Sequence, residues 1–348
     1  MTVTDIPTAV EHLTPALLTE LLADSGHHAV VRTVEATPVG TGQMADSLRL
    51  RMTFDGPTEL PSTMIAKLAT GDPGQREFAS GAFRNEVTFY RELATEFAVP
   101  VPACYAAALS ESCSEFVVLL EDMGGARQGD QIAGCTAGQA RAVALAAAGL
   151  HAPRWNDPAL LQRFPLPTSD DRELMDSVLA PMTEQFRDRF HPGSAENELL
   201  DWLVGHAGAW LVAPTSHTAL IHGDLRIDNV LFGPDGAVTV VDWQTITTGS
   251  AFRDIAFLLV TSLDVADRRA HERDIVAAYH RRLVELGVRD YTAETCWADY
   301  LGNLIQAPLI VVFGAGAARP TARGDAMFAA MAHRAAVALA DLAPEMPR

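Results

Sequence analysis

Three oxygen-bearing side chains flank a short predicted hairpin in the C-terminal half of the chain. Asp224 and Asn229 lie five positions apart before an apolar segment, and Asp242 ends the next apolar segment. The turn signal Pro234-Asp-Gly separates the two segments, which predicts a hairpin with all three side chains at one end. Such a cluster suits Mg²⁺, because this ion prefers hard oxygen donors and usually lies between carboxylates and substrate phosphates.

The basic side chains of the sequence include a single lysine. Of the 26 basic residues, 25 are arginine and only Lys67 is lysine. A codon bias toward arginine would leave a single lysine by chance, whereas a functional explanation is that position 67 needs a compact ammonium group. The planar guanidinium of arginine cannot imitate that group. Composition leaves both explanations open.

Length, charge and cysteine spacing exclude several classes of protein. The 348 residues, 48% of them hydrophobic and 20% charged, are enough for about two globular domains. A net charge of −18 disfavours a nucleic-acid partner, because that affinity comes mainly from clustered Lys and Arg. The four cysteines form no Cys-x-x-Cys pair. The continuous apolar runs are shorter than the roughly 18 residues of a membrane span, and the N-terminus does not resemble a signal peptide. We expect a cytoplasmic protein with neither a membrane nor a nucleic-acid partner.

The elements that must position these side chains differ between the two ends of the chain. Alternating apolar residues predict strands over Val30–Val39, 48–54 and Thr63–Ala69, with Lys67 in the third strand. A helix is predicted over Phe83–Phe97 and another apolar strand over Phe116–Leu120. Beyond residue 134, helical periods dominate, and the predicted helices cover Gly138–His151, Arg172–Phe190, Glu196–Val212, Ala251–Leu263, Glu272–Leu286, Thr292–Gln306 and Arg323–Leu342.

The segment His222-Gly-Asp-x-x-x-x-Asn229, followed by Asp242-Trp-Gln, resembles the catalytic and metal loops of aminoglycoside/choline-kinase-like phosphotransferases. A later Arg253-Asp-Ile-Ala run is similar to the ecdysteroid-kinase-like branch of that family. The resemblance implies an α+β, bilobal protein-kinase-like fold. Its N-lobe, an antiparallel sheet plus a helix, would cover residues 1–122, and its larger, mostly helical C-lobe residues 123–348. Within the C-lobe, residues 155–212 would form an acceptor-binding helical subdomain.

Carried over residue by residue, the resemblance implies a role for each side chain of the catalytic segment. Asp224 would accept the proton of the acceptor hydroxyl, and Arg226 would face the transferring phosphoryl group. Asn229 and Asp242 would hold Mg²⁺. Asp254 would brace the catalytic loop as a buried structural acid.

The N-terminal half carries the residues that the same resemblance assigns to nucleotide binding: Lys67, Glu86, Gly40, Gly42, Glu121 and Met123. Lys67 matches the phosphate-binding lysine of the third strand and Glu86 its helical partner, although Glu86 could also form an exposed salt bridge on a helix face. The two glycines would belong to the phosphate loop, but a Gly-x-Gly pair also marks many ordinary turns. Residues 121–123 would form the adenine hinge and act through their backbone.

The resemblance therefore implies an ATP- and Mg²⁺-dependent O-phosphotransferase acting on the hydroxyl of a small molecule. An aminoglycoside-type resistance enzyme and a catalytically inactive kinase-like binding module are the alternatives. Residues 155–212 contain ten acids and four arginines, which would suit a cationic acceptor, but surface acids also serve solubility. The presence of every expected polar side chain favours the enzyme. The acceptor and the oligomeric state stay open.

Overall fold

A five-stranded antiparallel sheet forms the core of the N-terminal part of the chain. The computed structural model describes residues 6–40 and 45–345. The strands of this sheet are β1 (Val30–Val39), β2 (Asp46–Asp55), β3 (Thr63–Leu68), β4 (Cys104–Leu109) and β5 (Phe116–Glu121). Their order across the sheet is β1-β2-β3-β5-β4, so β4 lies at an edge and β5 pairs on both sides.

The side chains of this sheet follow the predicted alternation. On β2, Leu48, Leu50 and Met52 are at most 2% exposed, while Arg49 and Arg51 lie on the opposite face. Because β5 is a central strand, its first four residues are almost fully buried, which explains their continuous apolar run.

Three helices accompany the sheet: α1 (Pro15–Asp24), α2 (Pro73–Phe78) and α3 (Ser80–Thr88). Thr14 caps α1 by accepting a hydrogen bond from the Leu17 amide, and Pro15 takes the first helical position, where proline is favoured. The prediction of one regular helix over Phe83–Phe97 is wrong at its end. After Thr88 the chain makes a π-turn over Phe89–Leu93. Phe89 and Tyr90, the first two residues of this turn, are both buried.

Helices make up most of the remaining chain, as predicted. They are α4 (Ala137–His151), α5 (Pro158–Arg163), α6 (Ser169–Phe190), α7 (Ser194–Leu211), α8 (Phe252–Ser262), α9 (Val265–Glu285), α10 (Ala293–Gly302), α11 (Gln306–Ala317) and α12 (Ala322–Leu342). Five short strands interrupt the series: β6 (Arg127–Gln128), β7 (Ala219–Ile221), β8 (Val230–Phe232), β9 (Val238–Val240) and β10 (Thr247–Gly249). β8 and β9 form the predicted hairpin, with Val230 opposite Val240.

The helix predicted over Thr292–Gln306 ends earlier, at Gly302, and α11 follows as a separate helix that the sequence pattern did not indicate. Two stretches, Ala293–Ala317 and Ala322–Glu345, are long and apolar enough to cross a membrane by length and composition alone. In the fold, 61% and 50% of their most apolar windows are buried. Because core helices of soluble proteins have the same property, these stretches are weak evidence for a membrane span.

The chain divides into two compact units. The first consists of Met1–Glu96, Val101–Gly125 and Val241–Ile246, and the second contains the rest of the chain. The short segment 241–246 therefore belongs with the sheet of the first unit, although β9, which directly precedes it, belongs to the second. Asp242 therefore belongs to the same unit as Lys67. The domain boundary predicted at residue 122 had placed Asp242 in the C-lobe.

Candidate active site

The single lysine of the chain lies between two carboxylates in the first unit. Lys67 is on β3, and its Nζ donates to Glu86 Oε1 at 2.9 Å and lies 2.7 Å from Oε2. The same Nζ donates to Asp242 Oδ1 at 2.8 Å. The exposed fraction is 12% for the Lys67 side chain, 1% for Glu86 and 37% for Asp242. Glu86 is therefore a buried partner of Lys67, not an exposed acid on a helix face.

The electrostatics of this cluster keep the lysine charged. Burial by itself would lower the pKa of Lys67, but the charges of Asp242 and Glu86 raise this pKa above its ordinary value. Burial raises the pKa of Glu86, and the ammonium of Lys67 opposes that rise. The cluster thus presents a permanent cation beside a partly exposed carboxylate, which is the charge pattern needed to hold a phosphate group and its counter-ion.

Local structure explains why Asp242 reaches this lysine. Asp242 has left-handed backbone angles, φ 70° and ψ 69°, which cost a non-glycine residue about 1–2 kcal/mol. The next residue, Trp243, is fully buried and stacks on Phe89 with the ring centroids 3.7 Å apart. Asn85 on α3 donates to the carbonyl oxygens of Gln244 at 3.1 Å and Ile246 at 3.3 Å. The loop carrying Asp242 is thereby fastened to α3, the helix that carries Glu86.

The predicted glycine loop and hinge also belong to the first unit. Gly40 follows β1 with a φ of +74°, a conformation that favours glycine, while Gly42 lies outside the described residues. Glu121 is the last residue of β5, and its Oε2 accepts a hydrogen bond from the Ala103 amide at 3.2 Å. Met123, two residues later, is half-buried.

An ion pair links the predicted hinge to the sheet. Arg49 on β2 donates from Nε to Asp122 Oδ2 at 2.8 Å and from Nη2 to Oδ1 at 3.0 Å. The Asp122 side chain is only 9% exposed. Two parallel hydrogen bonds of this kind fix orientation as well as distance. Sequence reasoning missed this contact, because the two residues are 73 positions apart.

The predicted catalytic segment lies in the second unit, and the structure brings three of its predicted site residues together. Asn229 Nδ2 donates to the carbonyl oxygen of Asp224 and to its Oδ2, both at 2.9 Å. Arg226 Nε donates to the same Oδ2 at 3.1 Å. Because the amide nitrogen of Asn229 donates these hydrogen bonds, the amide oxygen is the atom of this side chain that can coordinate a cation. Asp242, the other predicted metal ligand, belongs to the first unit.

A buried aspartate holds the start of this segment, as expected of Asp254. Its Oδ2 accepts from the His222 amide at 2.6 Å and its Oδ1 from the Gly223 amide at 2.8 Å. Gly223 has a φ of +83°, which a side chain would disfavour. Burial would raise the pKa of Asp254, but the hydrogen bond from His151 and the charge of that residue hold the pKa below its ordinary value.

Two further groups of contacts lie around this segment, and the sequence motif does not indicate them. His151 on α4 lies between Asp254 (3.1 Å) and the hydroxyl of Tyr279 (2.6 Å), and all three side chains are fully buried. Asp228 accepts from the Gln131 amide at 2.8 Å and from both terminal nitrogens of Arg323 at 3.2 Å. The partners of each pair come from distant elements, so a local sequence pattern does not reveal them.

Metal binding by other side chains finds no support in residues 6–40 and 45–345. No three histidine, cysteine or acidic side chains in this part of the chain are grouped so as to hold a metal ion. The oxygen donors of Asn229 and Asp242 fit the preference of Mg²⁺ in their chemistry, because one is a carboxylate and the other an amide oxygen.

Comparison with known proteins decides the family. The model of the ecdysteroid kinase-like family matches residues 42–289, well over half of the chain. The chain belongs to the ecdysteroid kinase-like family. This membership confirms the predicted family. His222, Asp224, Asn229 and Asp242 all lie within the matched region of the family.

Solved structures confirm the predicted protein-kinase-like fold of this family member. A microcompartment-associated aminopropanol kinase is similar with a TM-score of 0.57 and 18% identity, over 94% of this chain and 98% of that one. Choline kinase LicA from Streptococcus pneumoniae has a TM-score of 0.51 and 12% identity, over 92% and 98%. APH(2")-IIa in its complex with gentamicin has a TM-score of 0.52 and 13% identity, over 95% of this chain and 97% of that one. At these identities the likeness concerns the fold alone.

The curated relatives match only a short part of this chain. Acyl-CoA dehydrogenase family member 11 of Gallus gallus is 43% identical over 65 residues, and member 10 of Mus musculus 37% identical over 65 residues. Each match covers 18% of this chain but only 8% and 6% of the relative. The chain thus covers less than a tenth of the length of these relatives.

Proposed function

We propose that the chain is an ATP-dependent O-phosphotransferase that phosphorylates a hydroxyl group of a small molecule. The observation that carries the proposal is the Lys67 cluster. The only lysine of the chain bonds the buried carboxylate of Glu86 at 2.9 Å and Asp242 at 2.8 Å. A surface lysine left by codon bias would not be buried between two acids, because burying charge is costly unless a function or a full set of partners compensates.

In the proposed reaction, Asp224 acts as general base. The acceptor oxygen attacks the γ-phosphorus of ATP, the bond from that phosphorus to the bridging oxygen breaks, and ADP leaves with the bond's electron pair. The proton of the acceptor hydroxyl passes to Asp224. Arg226 already bonds Oδ2 of Asp224 at 3.1 Å, so this carboxylate is held in one orientation. The guanidinium also supplies positive charge for the transferring group.

Nucleotide and metal are assigned to the remaining predicted residues. Lys67 contacts the nucleotide phosphates, with Glu86 holding its ammonium in place. The backbone of residues 121–123 receives the adenine, and Gly40 belongs to the phosphate loop. Asn229 and Asp242 are the ligands of Mg²⁺, which when bound neutralises negative charge on the phosphates.

Thermal unfolding with Mg–ATP tests the binding half of this proposal. A ligand at about 100 times its Kd stabilises the folded state by about 2.7 kcal/mol, so the wild-type Tm should rise. We expect the rise to vanish in Asp242→Ala and on addition of EDTA. It should persist in Asp55→Ala, which removes an exposed acid at the end of β2. A wild-type Tm that does not respond to Mg–ATP would instead support the catalytically inactive binding module.

ADP release with a panel of hydroxyl compounds tests the catalytic half and identifies the acceptor class. The acidic segment 155–212 does not decide for a cationic acceptor, since several of its acids already have basic partners. Asp201 and Glu184 pair with Arg187, and Glu196 pairs with His333. The panel should therefore include aminoglycosides together with neutral and acidic alcohols. Turnover with none of them, in protein that binds Mg–ATP, would contradict the proposed reaction.

A further inference from the structure

Arg253, the second residue of α8, carries a guanidinium group that no carboxylate in the described part of the chain pairs with. Its only hydrogen bond there runs from Nε to the neutral Oε1 of Gln306, at 3.0 Å. The neighbouring Asp254 does not supply an ion pair, because its two oxygens accept from the His222 and Gly223 amides. The second unit therefore contains a cation without an anionic partner.

The surroundings of this cation oppose its charge. Burial lowers the pKa of Arg253 to about 10, although the charge of Asp254 acts in the other direction. The side chain is still a cation at neutral pH. Holding an unpaired charge away from water is costly, whereas a neutral side chain could pack between the helices without that cost. An anionic ligand at the guanidinium would offset it.

Two neighbours orient the guanidinium and leave its terminal nitrogens available. Cζ of Arg253 lies 4.5 Å from the centroid of the Trp210 ring on α7, so this ring covers one face of the group. Gln306, only 2% exposed, engages Nε. Nη1 and Nη2 donate to no group among the described residues. Gly249 on β10 lies beside them, where a Cβ would be 3.4 Å from Nη1, so the absence of a side chain leaves room there.

The same glutamine connects Arg253 to the predicted catalytic segment. Gln306 Nε2 donates to the carbonyl oxygen of Gly223 at 3.4 Å, and the next residue is the proposed base Asp224. On its other side, Arg253 contacts Trp210, which belongs to the predicted acceptor-binding subdomain. All of these residues belong to the second unit. The unpaired cation thus contacts both the helix proposed to enclose the acceptor and the glutamine that holds the catalytic segment.

We propose that Arg253 binds a carboxylate group of the acceptor and that the substrates of this chain are hydroxy acids. This inference rests on the phosphotransfer proposed above. A carboxylate offers two oxygens that match the paired donors of a guanidinium edge. A phosphate group could accept the same bonds, but it carries about two negative charges at neutral pH, and one guanidinium balances only one of them. Gln306 and Trp210 are positioning residues for Arg253.

Isothermal titration of the full chain, with and without Mg–ADP, tests this proposal without requiring turnover. The probes are glycerate, 3-hydroxybutyrate and 6-hydroxyhexanoate, each paired with its primary amide, which keeps the hydroxyl and removes the charge. We expect at least one acid to bind about ten-fold or more tightly than its amide, because charge-assisted hydrogen bonds are about twice as strong as neutral ones. Arg253→Gln should abolish this preference. Arg281→Gln, an exposed arginine on α9, is the matched control and should keep it.

A second variant serves if Arg253→Gln fails to fold. Gln306→Glu is close in shape and places a carboxylate next to Arg253 Nε, so it neutralises the guanidinium from within the protein. The preference for the acid should be lost, whereas binding of the amide should persist. The proposal is overturned if no acid binds, if acid and amide bind the wild type equally, or if Arg253→Gln weakens both alike, as a purely structural role of Arg253 would require.

ADP release with the same pairs distinguishes this inference from the proposed reaction. If both hold, kcat/KM should be about ten-fold or more higher for the acid than for its amide, and the difference should disappear in Arg253→Gln and Gln306→Glu. Acid binding that depends on Arg253 without ADP release would support the carboxylate site and contradict the reaction. Turnover of acid and amide with equal kcat/KM would support the reaction and overturn the assignment of hydroxy acids.

Discussion

The chain has two polar centres, the Lys67 cluster and the predicted catalytic segment, residues 222–229, which we call the Asp224 loop. The two centres are formed in different ways. In the loop, Asp224, Arg226 and Asn229 lie within six consecutive positions and bond one another directly. In the cluster, Lys67 meets partners that are 19 and 175 positions away in the sequence. The loop is therefore a local arrangement, whereas the cluster exists only when β3, α3 and the segment 241–246 are all in place.

This difference predicts how each centre responds to substitution. Asp254 holds the start of the loop through the His222 and Gly223 amides, so a change confined to the carboxyl group of Asp224 should leave the loop in place. Removing Lys67 from the cluster leaves the buried carboxylate of Glu86 without its cation, which is costly. Substitutions in the loop should therefore alter rate with little effect on stability, and substitutions in the cluster should alter both.

The largest effect is expected at the proposed base. Asp224→Asn should reduce kcat about 10²–10⁴-fold, because a positioned general base contributes a factor of this size. Tm should change little, since the amide keeps the shape of the side chain. The measurement is steady-state ADP release with the best acceptor. Asp274→Asn, an exposed position on α9, is the control, and near-normal kcat in folded Asp224→Asn would refute the base assignment.

The second effect concerns the lysine. Lys67→Arg should lower kcat/KM for ATP nearly as much as Lys67→Ala, because the longer planar fork does not fit between the Glu86 and Asp242 carboxylates. Both variants should also lower Tm, unlike Asp224→Asn. If Lys67→Arg keeps the wild-type kcat/KM, the arginine bias of the composition is sufficient to explain the single lysine.

The difference between local and long-range contacts also explains which parts of the two centres can be predicted from the sequence. The spacing of His222, Asp224 and Asn229 was visible because local motifs keep their spacing in the chain. The alternation of β2 and the position of Lys67 in a strand were visible for the same reason. The bond between Lys67 and Asp242 was not, since it depends on the segment 241–246 joining the other unit. The π-turn after α3 was also hidden, because helical periodicity continues through Phe89 and Tyr90.

A third prediction tests whether the loop depends on distant support. Asp254→Ala should lower the free energy of unfolding by about 3 kcal/mol, because two backbone amides and His151 lose a buried charged partner. The pKa of Asp254 lies below its ordinary value of 3.8. Its contribution is therefore complete at neutral pH and is lost as the pH falls through the folded-state pKa. Urea unfolding at several pH values measures both effects, with Asp274→Ala as control.

The smallest effect is expected at the hinge. Arg49→Lys replaces the paired hydrogen bonds to Asp122 by a single contact, so residues 121–123 are held less firmly. Arg49 is 40% exposed. Solvent therefore limits the pair to about 1 kcal/mol or less, which corresponds to a rise in KM for ATP of up to about five-fold. We expect kcat to stay unchanged, since the pair does not contact the reacting groups.

Arg51 supplies the matched control for this last prediction, because it lies two residues further along the same strand, on the same face, and is exposed. Arg51→Lys should leave KM for ATP at its wild-type value. Asp122→Asn should raise KM as Arg49→Lys does, and combining both substitutions should add little, since each breaks the same pair. Independent, additive effects of the two substitutions would mean that they act on nucleotide binding separately and that the ion pair does not position the hinge.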